Sequence, residues 1–259
     1  MKKVSFLILS LVIIIAGSCA TTKNKSDVST PIGDTTENSV DWAGTYLGSL
    51  TNGKGQFIDL QLELKNDGKF TIISTNPGED RDLYKESTFK WIRNGRAIEL
   101  DQLIETVNTK FIHVGENKVF LLTGETLNSD QKLADLPQLE KIQLDDKLTE
   151  KYWKLVSINE RAVTANDFES KEPHILFKTT YNFVRGTDGC NGFGGKYKIQ
   201  GETIEFSQMI STMMACEGSF VFDQYTRILN EAKTYKATDK ELEIKSEKEV
   251  LKFEVVYLK

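Results

Sequence analysis

The 259-residue chain reads as mainly β with one helix, arranged as two blocks of short strands behind an export signal. Three observations predict this: apolar residues alternate with polar ones at a period of two through most of the chain, turn dipeptides separate these runs, and a three-and-four-residue apolar period occurs once. A period of two puts alternate side chains on one face of a sheet, whereas a helix repeats its face every 3.6 residues.

The N-terminus is a targeting segment. Lys2 and Lys3 precede an apolar run over residues 6–15, interrupted only by Ser10, and small residues Ala16, Gly17 and Ser18 lead into Cys19. The run is shorter than the roughly 20 residues that a membrane-spanning helix needs. Small residues before a cysteine at the end of a signal-like run resemble the lipobox of bacterial lipoproteins, although Ala16 stands where leucine is usual. By that resemblance residues 1–18 are a signal peptide and Cys19 is the lipidated N-terminus; an ordinary signal peptide is the competing reading. Triacylation would anchor the chain stably, which one acyl chain does not. Ala20 after the cysteine, in place of aspartate, implies the outer membrane by the same resemblance, and the lack of an acidic tag in residues 20–24 favours its periplasmic side. Residues 19–40 are Thr, Ser, Asn, Lys and Asp rich, too poor in apolar groups to offset ordering entropy, and read as a flexible tether.

Roughly 220 residues remain, enough for two domains of about 100 each. The net charge of −5, more acidic once Lys2 and Lys3 are removed, argues against nucleic acid as a partner, since phosphate binding needs a concentrated basic face. In the first block Ile58, Leu60, Leu62 and Leu64 alternate with polar residues, Asp67 and Gly68 supply a turn, and residues 70–73 return as a strand. Residues 89–92 and 97–100 repeat the pattern around Asn94 and Gly95, and residues 110–114 and 118–122 repeat it around Gly115. Closely spaced short strands imply an antiparallel barrel or sandwich. The segment from Gly44 to Leu50, the Asp67–Gly68 turn, Phe89-Lys90-Trp91 and the Gly115-Glu116-Asn117 corner resemble the N-terminal domain of the NlpE copper-resistance lipoproteins over residues 41–142. That resemblance implies a lipocalin-like barrel. The family's Cys-x-x-Cys pair is replaced here by Asn52 and Gly55, neither of which supplies a thiolate for Cu(I), so copper binding is not carried over.

Residues 138–150 form a charged stretch, with a domain boundary near Gln143. In the second block strands are expected over residues 152–159, 173–177 and 181–186. Trp153-Lys154-Leu155, Gly189-Cys190-Asn191, Gly195-Lys196-Tyr197 and the run from Thr212 to Cys216, in this order, closely resemble the META domain of the HslJ lipoprotein family over residues 149–259. Val221, Tyr225, Ile228, Leu229 and Ala232 form one helical stripe, from which Asp223, Arg227, Asn230 and Lys233 fall away. Strands over residues 241–244 and 250–255 close an α+β domain, a curved antiparallel sheet with one packed helix.

Cys190 and Cys216 are the cysteines left once Cys19 is assigned to lipid. An isolated pair in an exported protein is most simply a disulfide closing a loop of about 27 residues. The alternative is a soft-metal site with Met213 and Met214; against it, the methionines would fill core gaps, and in a strand they would point to opposite faces. His113 and His174, the only histidines, lie in different blocks, and no nucleophile motif accompanies them. Gly192, Gly194 and Gly195 lack the strand–loop–helix setting of a phosphate cradle and read as turn or bulge residues. Asp145-Asp146 and Glu79-Asp80 read as solvated surface. No catalytic residue, cofactor or metal is expected. The resulting expectation is a monomeric, non-catalytic envelope lipoprotein, bound to the membrane by its lipid and acting in envelope maintenance or stress response through an envelope protein partner. A lipocalin-like carrier of an apolar ligand, and an inhibitor or adaptor of a protease or secretion partner, are the alternatives.

Overall fold

The computed structural model describes residues 35–75, 81–128, 132–168, 171–216 and 219–257. Residues 34–259 form one compact unit. Cys19 and the Glu79-Asp80 pair lie outside the described residues.

A single helical turn, α1 (Thr36–Ser39), comes first. It falls within the stretch read as tether, and its Glu37 amide donates to the Gly95 carbonyl at 3.0 Å. Eight strands follow: β1 (Gly44–Thr51), β2 (Phe57–Leu64), β3 (Lys69–Ser74), β4 (Leu83–Ile92), β5 (Ala97–Ile104), β6 (Thr109–Gly115), β7 (Lys118–Leu122) and β8 (Gln138–Ile142). Each pairs antiparallel with the next, and β8 returns to β1 through Thr45↔Ile142 and Leu47↔Glu140, so the barrel closes. Closure requires Gly48, because a Cβ there would sit 2.8 Å from the Gln138 carbonyl oxygen. The alternation seen in the sequence is the inside of this barrel. Ile58, Leu60, Leu62 and Leu64 are all buried, and Leu60, Leu62 and Leu64 belong to one contiguous core with Tyr46, Phe70, Leu100 and Ile112. Small barrels filled by their own side chains are packed cores rather than containers.

The second half is also antiparallel: β9 (Tyr152–Ile158), β10 (Arg161–Ala162), β11 (His174–Phe177), β12 (Phe183–Thr187), β13 (Gly192–Gln200), β14 (Thr203–Ser211), then α2 (Phe220–Asn230), β15 (Thr234–Ala237), β16 (Glu241–Lys245) and β17 (Val250–Val256). β17 pairs back onto β9, so the sheet curls until its ends meet. β14 and β15 meet at a single pair, Thr203↔Thr234, and α2 contacts β14, β9 and β17. Ser219 caps the helix by accepting the Val221 amide at 3.2 Å, and Val221, Tyr225, Ile228 and Leu229 are fully buried along the expected stripe. Trp153 is fully buried as well, its indole N–H donating to the Leu148 carbonyl at 2.8 Å.

Two local expectations change. The strand expected from Tyr181 begins at Phe183, because Tyr181 (φ 54°) and Asn182 (φ 47°) adopt left-handed backbone. The charged stretch after Leu136 contributes β8, the strand that closes the barrel. Residues 212–216 are not a strand, since β14 ends at Ser211.

The two sheets meet through polar contacts. Gln61, buried on the outward side of β2, accepts the Tyr181 amide at 2.7 Å, and Lys196 Nζ lies 2.9 Å from both carboxylate oxygens of Asp59. From the connecting segment, Asp145 accepts the Tyr235 hydroxyl at 3.0 Å and Gln143 accepts the Gly201 amide at 2.8 Å. Asp145 is therefore a joint between segments rather than one of a solvated acid pair.

Candidate docking face

The register of the second sheet sets one row of residues across five strands. Tyr152 is opposite Leu176, Leu176 opposite Arg185, Arg185 opposite Gly194, and Gly194 opposite Ile210. A second row runs beside it: His174 faces Thr187, Thr187 faces Gly192, and the Thr212 amide donates to the Gly192 carbonyl at 3.0 Å. Between the two rows lies an open, mainly apolar groove of about 640 Å³. Its depth comes from missing side chains. A Cβ on Gly192 would meet only the Gly186 carbonyl oxygen, at 3.9 Å, and so would project into open space.

One end of the groove is aromatic. The Tyr152 and His174 rings stack at 4.4 Å with 24° between their planes. Burial, followed by the nearby Glu172, pushes the Tyr152 hydroxyl up to about 12, so it stays protonated. Burial likewise holds the His174 imidazole below its ordinary range, which favours the neutral ring at pH 7. His174 Nδ1 lies 2.9 Å from the Glu172 carbonyl oxygen.

The other end is a clamped loop. Asp188 Oδ1 accepts the amides of Cys190 at 2.8 Å and Asn191 at 2.6 Å, folding residues 188–191 into a tight turn with Gly189 at φ 102°. That turn aims Asn191 across at residues 212–214. Its Oδ1 accepts the Thr212 hydroxyl at 2.9 Å and the Met214 amide at 2.7 Å, and its Nδ2 donates to the Met214 carbonyl at 3.4 Å. Cys190 and Cys216 form a disulfide with their Cα atoms 6.3 Å apart. The segment is thus held at both ends while its side chains stay outside: Met213 is 97% exposed, Met214 57% and Ile210 74%. The methionines do not fill core gaps, contrary to the expectation from composition. With both sulfurs in a disulfide, neither cysteine offers the thiolate that a soft-metal site would use.

The remaining residues singled out in the sequence do not converge. His113 lies on β6 beside Phe120, in the barrel, while His174 lies in the other sheet. Asn52 organises the β1–β2 corner by accepting the amides of Lys54 at 2.9 Å and Gln56 at 3.0 Å; Gly55 there has φ 76°. The β-bulge between β13 and β14 falls between Gly194 and Lys196, with Gly195 inside it. Among the described residues no cluster of three His, Cys, Asp or Glu side chains is placed to hold a metal ion. The sequence singled out Cys190, Asn191, Met213 and Met214 but missed Tyr152, Arg185 and Ile210 as parts of the same face. Those become neighbours only through strand register.

Fold and face together define a two-sheet antiparallel β protein that presents a preformed apolar surface. The META domain family matches residues 146–255. Among solved structures, a Shewanella oneidensis protein provisionally described as a lipoprotein is 30% identical, over 43% of this chain and 99% of its own, with a TM-score of 0.36. A protein from Burkholderia xenovorans is 18% identical over 46% of this chain and 95% of its own (TM-score 0.37). A DUF4847 family protein from Bacteroides vulgatus is 14% identical over 41% and 93% (TM-score 0.30). No curated protein matches the chain.

Proposed function

We propose that this protein is a non-catalytic cell-envelope lipoprotein that works in envelope maintenance or stress response through protein contacts made by its META half. The observation that carries the reading is the exposed trio Ile210, Met213 and Met214, held against solvent by the Cys190–Cys216 bridge and the Asn191 clamp. Exposed apolar clusters are costly unless covered, and those rimmed by polar groups mark interaction sites. Methionine suits such a surface because its flexible, polarisable side chain adapts to a partner. The lipobox-like residues before Cys19, the Shewanella relative's description and the NlpE-like motifs support the envelope setting. The packed barrel core lends no support to the carrier alternative.

Photo-crosslinking in cells tests this, with a benzophenone amino acid placed at Met213 and, as control, at exposed Lys248 away from the face. A discrete adduct with an envelope protein from position 213 alone is expected. Identical patterns from both positions, or adducts with lipid only, would overturn the reading.

A further inference from the structure

We propose that the groove beside the clamped loop binds an extended peptide segment of the partner, about six residues long, with apolar side chains flanking one acidic side chain. This inference rests on the protein-contact reading above and gives the partner its chemistry.

Length comes from the register. Five strands spaced about 4.8 Å apart span about 19 Å, which about six residues of extended chain cover at about 3.3 Å each. The open shape of the groove sets the conformation. An extended chain points alternate side chains to opposite faces, so it buries one apolar set in a one-sided trough and leaves the other set in water. An acyl chain has no polar face and would stay half wetted.

Charge sets the central residue. Arg185 is the third of five residues in the row, exposed, and without an ion-pair partner among the described residues. A guanidinium among apolar groups selects a carboxylate by a charge-assisted hydrogen bond. Its position at mid-groove requires the carboxylate at mid-ligand, where a peptide bearing Asp or Glu places it and a fatty acid, charged at its end, does not. Lys154, opposite His174 on the neighbouring strand, is already paired with Glu172 at 2.8 Å.

The experiment uses the full mature chain and a phage-displayed library of random heptapeptides, with Gly192→Leu and Arg185→Glu as variants. Gly192 tolerates a side chain sterically, so Gly192→Leu fills the groove while leaving the melting temperature and the disulfide unchanged. The expected selection on the native chain is an acidic residue with apolar residues two positions away on either side. Binding of the selected peptides, measured by fluorescence anisotropy, should disappear on Gly192→Leu and weaken about tenfold or more on Arg185→Glu. Their lysine-substituted forms should recover on Arg185→Glu. Selected peptides without acidic residues, or peptides that bind Gly192→Leu equally well, would overturn the proposal. So would no selection together with saturable binding of dodecanoate, which would make the groove a site for an anionic acyl ligand. If adducts at Met213 persist on Gly192→Leu, the peptide groove falls while the protein-contact reading stands.

Discussion

The side chain of Asn191 pairs with the backbone of Met214 as one strand pairs with another: Oδ1 accepts the Met214 amide at 2.7 Å and Nδ2 donates to its carbonyl at 3.4 Å. A side-chain amide thus supplies the partner that no strand provides after β14 ends. Asn191→Ala removes both bonds and the Thr212 contact, at an expected cost of about 1–2 kcal/mol because these groups are partly wet. Hydrogen exchange at residues 212–214 should accelerate far more than exchange in β9. Asn191→Asp, which keeps the acceptor and loses the donor, should fall between the two.

Removing the Cys190–Cys216 bridge frees a long loop in the unfolded chain. The chain-entropy model puts the loss at about 3.5 kcal/mol for the Cys190→Ala, Cys216→Ala pair. Urea titration of native and doubly substituted protein measures it. A difference under about 1 kcal/mol would mean that the Asp188 turn and the Asn191 clamp already hold the loop unaided.

Tyr225 points the other way. It is fully buried, which, with the nearby Asp188 carboxylate, raises its ionisation far above the ordinary range, and its hydroxyl has no hydrogen-bond partner among the described residues. Tyr225→Phe deletes a desolvated, unsatisfied group and keeps the ring contacts with Phe193 and Phe253. It is expected to stabilise the protein by about 1 kcal/mol. A clear loss of stability on thermal melting would show that the hydroxyl is satisfied in solution.

Both histidines are held below their ordinary range by burial, His113 with help from Arg93 and Arg96. Each therefore takes up its proton more readily in the unfolded chain than in the folded one. Their contribution to stability is complete above the unfolded value of about 6.5, and it is lost as pH falls from there through the lowered folded values. The melting temperature should drop between pH 7.5 and 5.5, and the drop should shrink in a His113→Gln, His174→Gln chain. An unchanged slope in that variant would assign the acid sensitivity to other groups.

The proposed anchor has its own test. Cys19→Ser should abolish acylation, read as the loss of diacylglycerol mass from the N-terminal peptide. It should also shift the protein from the membrane fraction to the soluble fraction. Retention at the membrane without lipid would return the segment to an uncleaved signal.

What the sequence by itself determined is local and periodic. Ile58, Leu60, Leu62 and Leu64 declare an inward strand face, and the spacing of Val221, Tyr225, Ile228 and Leu229 declares a helix stripe, because each pattern repeats with its own backbone period. Gly68 and Gly95 mark turns because their backbone takes positive φ, at 78° and 74°. The tertiary structure alone decided what depends on pairing between distant segments. Residues 138–142 look like a charged linker and become the closing strand because β1 and β7 offer them free edges. Gln61 is an outward polar residue that is buried only because Tyr181, 120 residues away, settles on it. Composition suggests Met213 and Met214 as core fillers, yet the bridge and the Asn191 clamp hold them in water. The groove follows the same rule. Tyr152, Leu176, Arg185, Gly194 and Ile210 share no spacing in the chain, and they line up because hydrogen-bond register across five strands puts them side by side.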